Sequence, residues 1–133
     1  MKELTLDANI DNLYTALDFI NTELEANHCP IKLQYQIAIA VEEIFVNIAN
    51  YAYHQEVGGV IIRIFVKDNV TIEFVDKGAP YNPLEKSDPN TTLSVDERDI
   101  GGLGVFMVKK IMDTVEYQHT ENRNILTIKK ELV

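Results

Sequence analysis

The stretch Val60-Ile61-Ile62-Arg63-Ile64-Phe65-Val66-Lys67-Asp68-Asn69-Val70-Thr71-Ile72-Glu73-Phe74-Val75 decides the fold class. Both halves are rich in β-branched and aromatic residues, which suit a pleated, half-buried surface. Lys67-Asp68-Asn69 supplies a short polar turn between them, so the segment predicts a β-hairpin. Gly58-Gly59 divides it from a helical half. There, Ile37, Val41, Ile44, Ile48 and Ala52 line one stripe of a helix over about 31–53. Leu13, Leu17, Ile20 and Leu24 mark an earlier helix over about 11–28, with Asp11 as its candidate cap and Pro30 at the join. Residues 2–7 alternate like a short edge strand.

Beyond the hairpin, residues 76–102 hold three of the four prolines, six Asp/Glu residues and little periodicity. A loop that long inside a compact domain is more often functional than idle. Residues 103–112 then read as a helix, and 115–119 with 125–130 as a closing hairpin around Glu121-Asn122-Arg123-Asn124. The order predicts an α+β two-layer sandwich, with helices on one face of a mixed, mostly antiparallel sheet, in a single domain over 1–133.

The bulk numbers fit that picture. Of 133 residues, 46% are hydrophobic and 25% charged, as in an ordinary globular domain. Twelve Lys+Arg against twenty-one Asp+Glu give a net charge of −9, which repels nucleic acid and anionic membrane surfaces. Cys29 is the single cysteine, so no internal disulfide can form and a reducing compartment is expected. The N-terminal residues carry acids and lack a long apolar run, and no stretch approaches the length of a membrane helix, so the expectation is cytoplasmic.

Three stretches carry chemistry. On the long helix, Glu43, Asn47, Asn50 and Tyr51 lie on one side, opposite the Val41/Ile44/Ile48 stripe. An amide oxygen at Asn47 suits Mg²⁺, a hard cation, and Glu43 one turn earlier is placed to take a proton. The same spacing also fits a solvated polar face. Asp76-Lys77-Gly78 follows an apolar strand, which puts a carboxylate at a sheet edge where backbone can approach a ligand; an Asp-x-Gly turn alone reads the same way. Gly101-Gly102-Leu103-Gly104 leads into a helix, whose free amides and dipole favour phosphate. It lacks the Lys-Ser/Thr of a P-loop and does not follow a strand as a dinucleotide fingerprint does.

Taken together these stretches resemble the GHKL (Bergerat-fold) ATPases, and specifically the anti-sigma-factor serine kinases of the RsbW/SpoIIAB type. Ala40-Val41-x-Glu43-x-x-x-Asn47, ending in Ala52-Tyr53, resembles the N box. Asp76-x-Gly78-x-Pro80-Tyr81-Asn82-Pro83 is similar to a shortened G1 box, and Ile100-Gly101-Gly102-Leu103-Gly104-Val105-Phe106-Met107-Val108 with Met112-Asp113 to the G2 box. The resemblance implies Glu43 as general base and Asn47 as Mg²⁺ ligand. It implies Asp76 as acceptor for the adenine amine, Gly78 keeping the pocket floor clear, and Gly102, Leu103, Gly104 and Val105 around the phosphates. Residues about 84–100 would be the ATP lid, with Arg98 either reaching the γ-phosphate or pairing with Asp96 or Asp99. Thr127 resembles the threonine that supports the adenine-binding aspartate.

The sequence departs from the family pattern at Tyr51, where many relatives carry histidine, and in lacking the second glycine of Asp-x-Gly-x-Gly. The resemblance implies an ATP- and Mg²⁺-dependent protein serine/threonine kinase. Such a protein phosphorylates a small antagonist protein and sequesters a sigma factor, as a homodimer. The alternative is a non-catalytic ATP-binding switch of the same fold that only sequesters a partner. A histidine-kinase catalytic domain is set lower, because only about ten residues precede the first helix. His28, His54 and His119 show no zinc-ligand spacing. Phe106, Met107 and Ile111 read as core, and Tyr14, Tyr35 and Tyr117 as half-buried packing.

Overall fold

The computed structural model describes residues 1–53, 58–80 and 102–132, with the main chain alone for 102–105. Strand β1 (Lys2–Asp7) leads through a 3-10 turn (Ile10–Asn12) into helices α1 (Leu13–Ala26) and α2 (Ile31–Tyr51). The hairpin β2 (Gly59–Val66) and β3 (Asn69–Asp76) follows, then α3 (Gly102–Ile111) and a second hairpin, β4 (Thr114–Thr120) and β5 (Arg123–Glu131). The sheet order is β1-β2-β3-β5-β4, and each of its four pairings is antiparallel. The mixed character expected of the sheet is therefore not found among the described residues. A chain that builds its sheet from two hairpins and a returning edge strand needs no parallel crossover.

Alternation decides which face is buried. Val60, Ile62 and Ile64 on β2, Val70, Ile72 and Phe74 on β3, and Ile128 on β5 point to the helices and are buried. Ile20 and Leu24 of α1 and Ile37, Val41, Ile44 and Phe45 of α2 close over them, which is the stripe that the 3.6-residue period predicts. Each such large side chain contributes roughly 1.5–3 kcal/mol on leaving water. The opposite face mixes polar residues with Ile61, Phe65, Val75 and Ile125; there Arg63 on β2 pairs with Glu3 on β1 at 2.7 Å.

Local chemistry sets the element ends. Asn9, rather than Asp11, caps the first turn: its side chain accepts the amide of Asp11 at 2.9 Å, and Asp11 lies within the 3-10 turn. Helix α1 stops in a Schellman motif. His28 takes a left-handed φ of 58°, its amide bonds to Glu25 O, and the Cys29 amide reaches back to Leu24 O. Pro30 then bars continuation and opens α2. The second hairpin turns on Glu121 and Asn122, both at positive φ, as a two-residue primed turn requires. At the end of α3, Lys130 Nζ donates to the Ile111 carbonyl at 2.7 Å, satisfying one of the free carbonyls at a helix C-terminus.

Several packing expectations change. Tyr14 and Tyr35 stand out in solvent at 82% and 69% exposure rather than half-buried. Among the described side chains of α3, Val108 is buried and Ile111 packs partly buried against the core as expected, with Met112 buried just beyond the helix, whereas Met107 faces outward. No described helix is long and apolar enough to cross a membrane.

A candidate nucleotide cleft at the end of the central strand

Strand β3 lies at the centre of the sheet, and its last residue, Asp76, is only 5% exposed. By alternation Asp76 falls on the helix side, after Phe74, so its carboxylate opens into the space between sheet and α2. A cleft open to solvent lies there. Its walls are mostly apolar, with Ile44, Ile48 and Ala52 from α2, Ala79 from the turn and Leu126 from β5. Asn47, Tyr51, Asp76, Tyr117 and Asn124 bring polar groups to it.

Among the described residues, Asp76 is held on one side only. Its Oδ1 accepts the Gly78 amide at 2.8 Å and the Asn124 side-chain amide at 2.9 Å. Oδ2 has no hydrogen bond among the described residues. A buried carboxylate oxygen without a donor is costly, so a ligand amine that donates to it is strongly favoured. This geometry fits the amine of an adenine ring lying in an apolar slot.

Gly78 is present for contact. A Cβ there would fall 2.1 Å from the Ala52 carbonyl oxygen, which also accepts the Ala79 amide at 3.1 Å. Close approach of the turn to the end of α2 thus demands glycine. Tyr53, just past α2, fastens the same corner: its hydroxyl donates to Gly59 O at 2.6 Å and accepts from the Lys77 amide at 2.9 Å. Burial, reinforced by the Asp76 charge and opposed by the Lys77 hydrogen bond, holds the Tyr53 hydroxyl above its ordinary pKa.

On α2, Asn47 is half-buried at the cleft, without a side-chain hydrogen bond among the described residues. Glu43 lies one helical turn earlier, half-buried, outside the cleft lining; Glu42 beside it is exposed. Tyr51 stands at the cleft and is 38% exposed. Gly102, Leu103, Gly104 and Val105 form the first turn of α3, which packs against α2. The proposed lid, about 84–100, with Arg98, and Gly101 lie outside the described residues.

Thr127 is not brought to Asp76. It pairs with Glu73, and its neighbour Ile128 is the core-facing residue, so Thr127 sits on the other face of the sheet. Asn124 instead is the cross-strand partner of Asp76 and supplies the supporting hydrogen bond. The Asn124 amide nitrogen also lies 3.3 Å from Gly78 O and 3.1 Å from Ala79 O, and its carbonyl accepts the Tyr117 hydroxyl. Sequence reading missed both residues. Their signal is register: only pairing β5 with β3 puts Asn124 opposite Asp76.

Comparison with known proteins bears on the family and the fold. An anti-sigma F factor of Caldanaerobacter subterraneus is 33% identical over 92 residues, covering 68% of this chain and 64% of that protein. A serine-protein kinase RsbW of Bacillus cereus is 29% identical over 101 residues, covering 68% and 60%. The chain thus matches somewhat less than two-thirds of the length of these two relatives. In three dimensions it is similar to a Mycobacterium tuberculosis protein with RsbU and RsbW domains. That likeness has a TM-score of 0.66 at 16% identity, over 99% of this chain and 33% of the other, and shows the shared fold. The profile of the histidine kinase-like ATPase domain matches residues 6–130, nearly end to end, and the chain belongs to that family.

Proposed function

We propose that this protein binds ATP with Mg²⁺ and transfers the γ-phosphoryl group to a serine or threonine of a small antagonist protein, and that it sequesters a sigma factor as a homodimer. The observation that carries the nucleotide reading is Asp76, a buried carboxylate lining an apolar cleft, with one oxygen tied down and the other without a hydrogen bond among the described residues. The names of the relatives, anti-sigma F factor and serine-protein kinase, support the partner and the reaction.

In this reading Asp76 receives the base amine, and Ile44, Ile48, Ala52 and Leu126 exclude water around the ring. Asn47 is the residue that would hold Mg²⁺ through its amide oxygen, a hard ligand of the kind that ion takes. Bound Mg²⁺ neutralises charge on the phosphates, and catalysis of this class rests on positioning and electrostatics. Glu43 accepts the proton of the attacking hydroxyl. The amides of the first turn of α3 meet the phosphates at the positive end of the helix.

Incubation of the purified protein with Mg²⁺, γ-labelled ATP and its small antagonist protein tests the proposal. Label on a serine or threonine of the antagonist is the expected result. ATP binding without transfer establishes the non-catalytic switch instead.

A further inference from the structure

Tyr117, Asn124 and Asp76 form a chain of side chains that the reaction itself does not call for. The Tyr117 hydroxyl donates to the Asn124 carbonyl, and the Asn124 amide donates to Asp76 Oδ1 at 2.9 Å. Three acceptors surround that amide nitrogen: the carboxylate and the carbonyls of Gly78 and Ala79. Three acceptors on one side and a hydroxyl on the other leave a single chemically sensible orientation of the amide. Asp76 and Asn124 are the two buried polar residues among those described, at 5% and 6% exposure, so these bonds are shielded from competing water.

The consequence concerns which base the cleft accepts. A carboxylate with both oxygens free takes two parallel N–H donors at once. The Watson–Crick edge of guanine offers such a pair, from its ring N–H and its exocyclic amine. Adenine offers one exocyclic amine beside a ring nitrogen that only accepts. Here Oδ1 is already engaged by the Gly78 amide and Asn124, and among the described residues one oxygen remains. That oxygen matches a single amine and denies guanine its bidentate partner.

We infer that Asn124, oriented by Tyr117, is a specificity-determining residue: by completing, with the Gly78 amide, the occupation of one oxygen of Asp76 it makes the cleft choose adenine over guanine nucleotides. The inference rests on the nucleotide reading above. Tyr117 is a positioning residue that acts through Asn124. Its ring also lines the cleft, so loss of the hydroxyl alone separates the two contributions.

Calorimetric titration of the full chain with MgATP and with MgGTP tests this. The wild-type chain prefers ATP by more than about tenfold, since a site built around a polar group rejects a mismatched partner strongly. Asn124→Ala leaves Oδ1 with the Gly78 amide alone, opening one of its two acceptor positions, and narrows the ATP-to-GTP ratio by about tenfold, with GTP gaining affinity. Tyr117→Phe narrows it by about threefold and, lacking only one hydroxyl, carries the test should the first variant fail to fold. Asn124→Thr, which keeps a donor for Asp76, restores part of the preference. A purely structural role lowers both affinities together, so an unchanged ratio in folded Asn124→Ala or Tyr117→Phe overturns the inference and leaves the ATP reading standing. A wild-type chain that binds neither nucleotide overturns the ATP reading and the inference together.

Discussion

Gly78 lies directly against the carbonyl of Ala52: a Cβ at position 78 would come within 2.1 Å of that oxygen and 2.6 Å of its carbon. The neighbours are main-chain atoms at the end of α2, which cannot swing aside as a flexible side chain can. The turn after β3 and the end of the long helix are thereby held in contact, and the two walls of the cleft share this seam.

Gly78→Ala therefore costs about 2–3 kcal/mol of stability, in the range of forced overpacking. It also weakens nucleotide binding, because the displaced turn carries the amide that holds Asp76. Chemical denaturation and nucleotide titration check the two effects; a variant unchanged in both would mean the corner is pliable.

Asp76→Asn replaces the open acceptor with an amide that can present a donor to the base amine. Nucleotide affinity falls by about 1–3 kcal/mol, the cost of a buried mismatched hydrogen bond. Retained affinity in calorimetry would place the base elsewhere.

Glu43→Ala separates binding from chemistry. Glu43 is outside the cleft lining, so ATP affinity is expected to change little while phosphoryl transfer is abolished. Unchanged transfer in a labelled-ATP assay would remove Glu43 as the base.

Tyr53→Phe removes two hydrogen bonds, to Gly59 O and from the Lys77 amide, and costs about 1–2 kcal/mol near neutral pH. The alkaline dependence has a definite sign. Burial raises the pKa of the folded tyrosine above that of the unfolded chain, so unfolding releases the proton more readily. The contribution is whole below the unfolded value of about 10 and is lost as pH rises through the folded value. Wild-type stability should thus fall more steeply than that of the variant above about pH 10, as denaturation at several pH values will show.

His28→Gly tests the end of α1. A residue at φ 58° is strained for any side chain, and glycine at this position of a Schellman motif is favoured. Stability should rise by about 0.5–1 kcal/mol; a loss would show that the imidazole makes a compensating contact.

The elements were legible in the sequence because their signals are local. Ile37, Val41, Ile44 and Ile48 recur with the helical period, and the predicted stripe is the one that packs on the sheet. The Val60–Val75 stretch alternates and turns where expected. Asp76 and Asn47 were legible as candidates because each sits at a recognisable place on its element, and the fold brings both to one cleft, where Tyr51 joins them. Where reading failed, the deciding contacts were not local. Nothing around residue 28 in the chain announces a left-handed cap without glycine, and the exposure of Tyr14 and Tyr35 depends on what packs nearby.

The sequence by itself determined the hydrophobic period of each segment, the turns between them and the residue types available for chemistry, since these depend on neighbours along the chain. Tertiary structure alone decided the order β1-β2-β3-β5-β4 and, with it, that Asn124 rather than Thr127 meets Asp76. Those partners lie 48 residues apart, and a strand's register, with a period of two, sets which of its residues face the cleft. Adjacent strands can be drawn together in several registers from sequence. Burial of Ile72, Phe74 and Ile128 on one face selects the register that places an amide against the carboxylate.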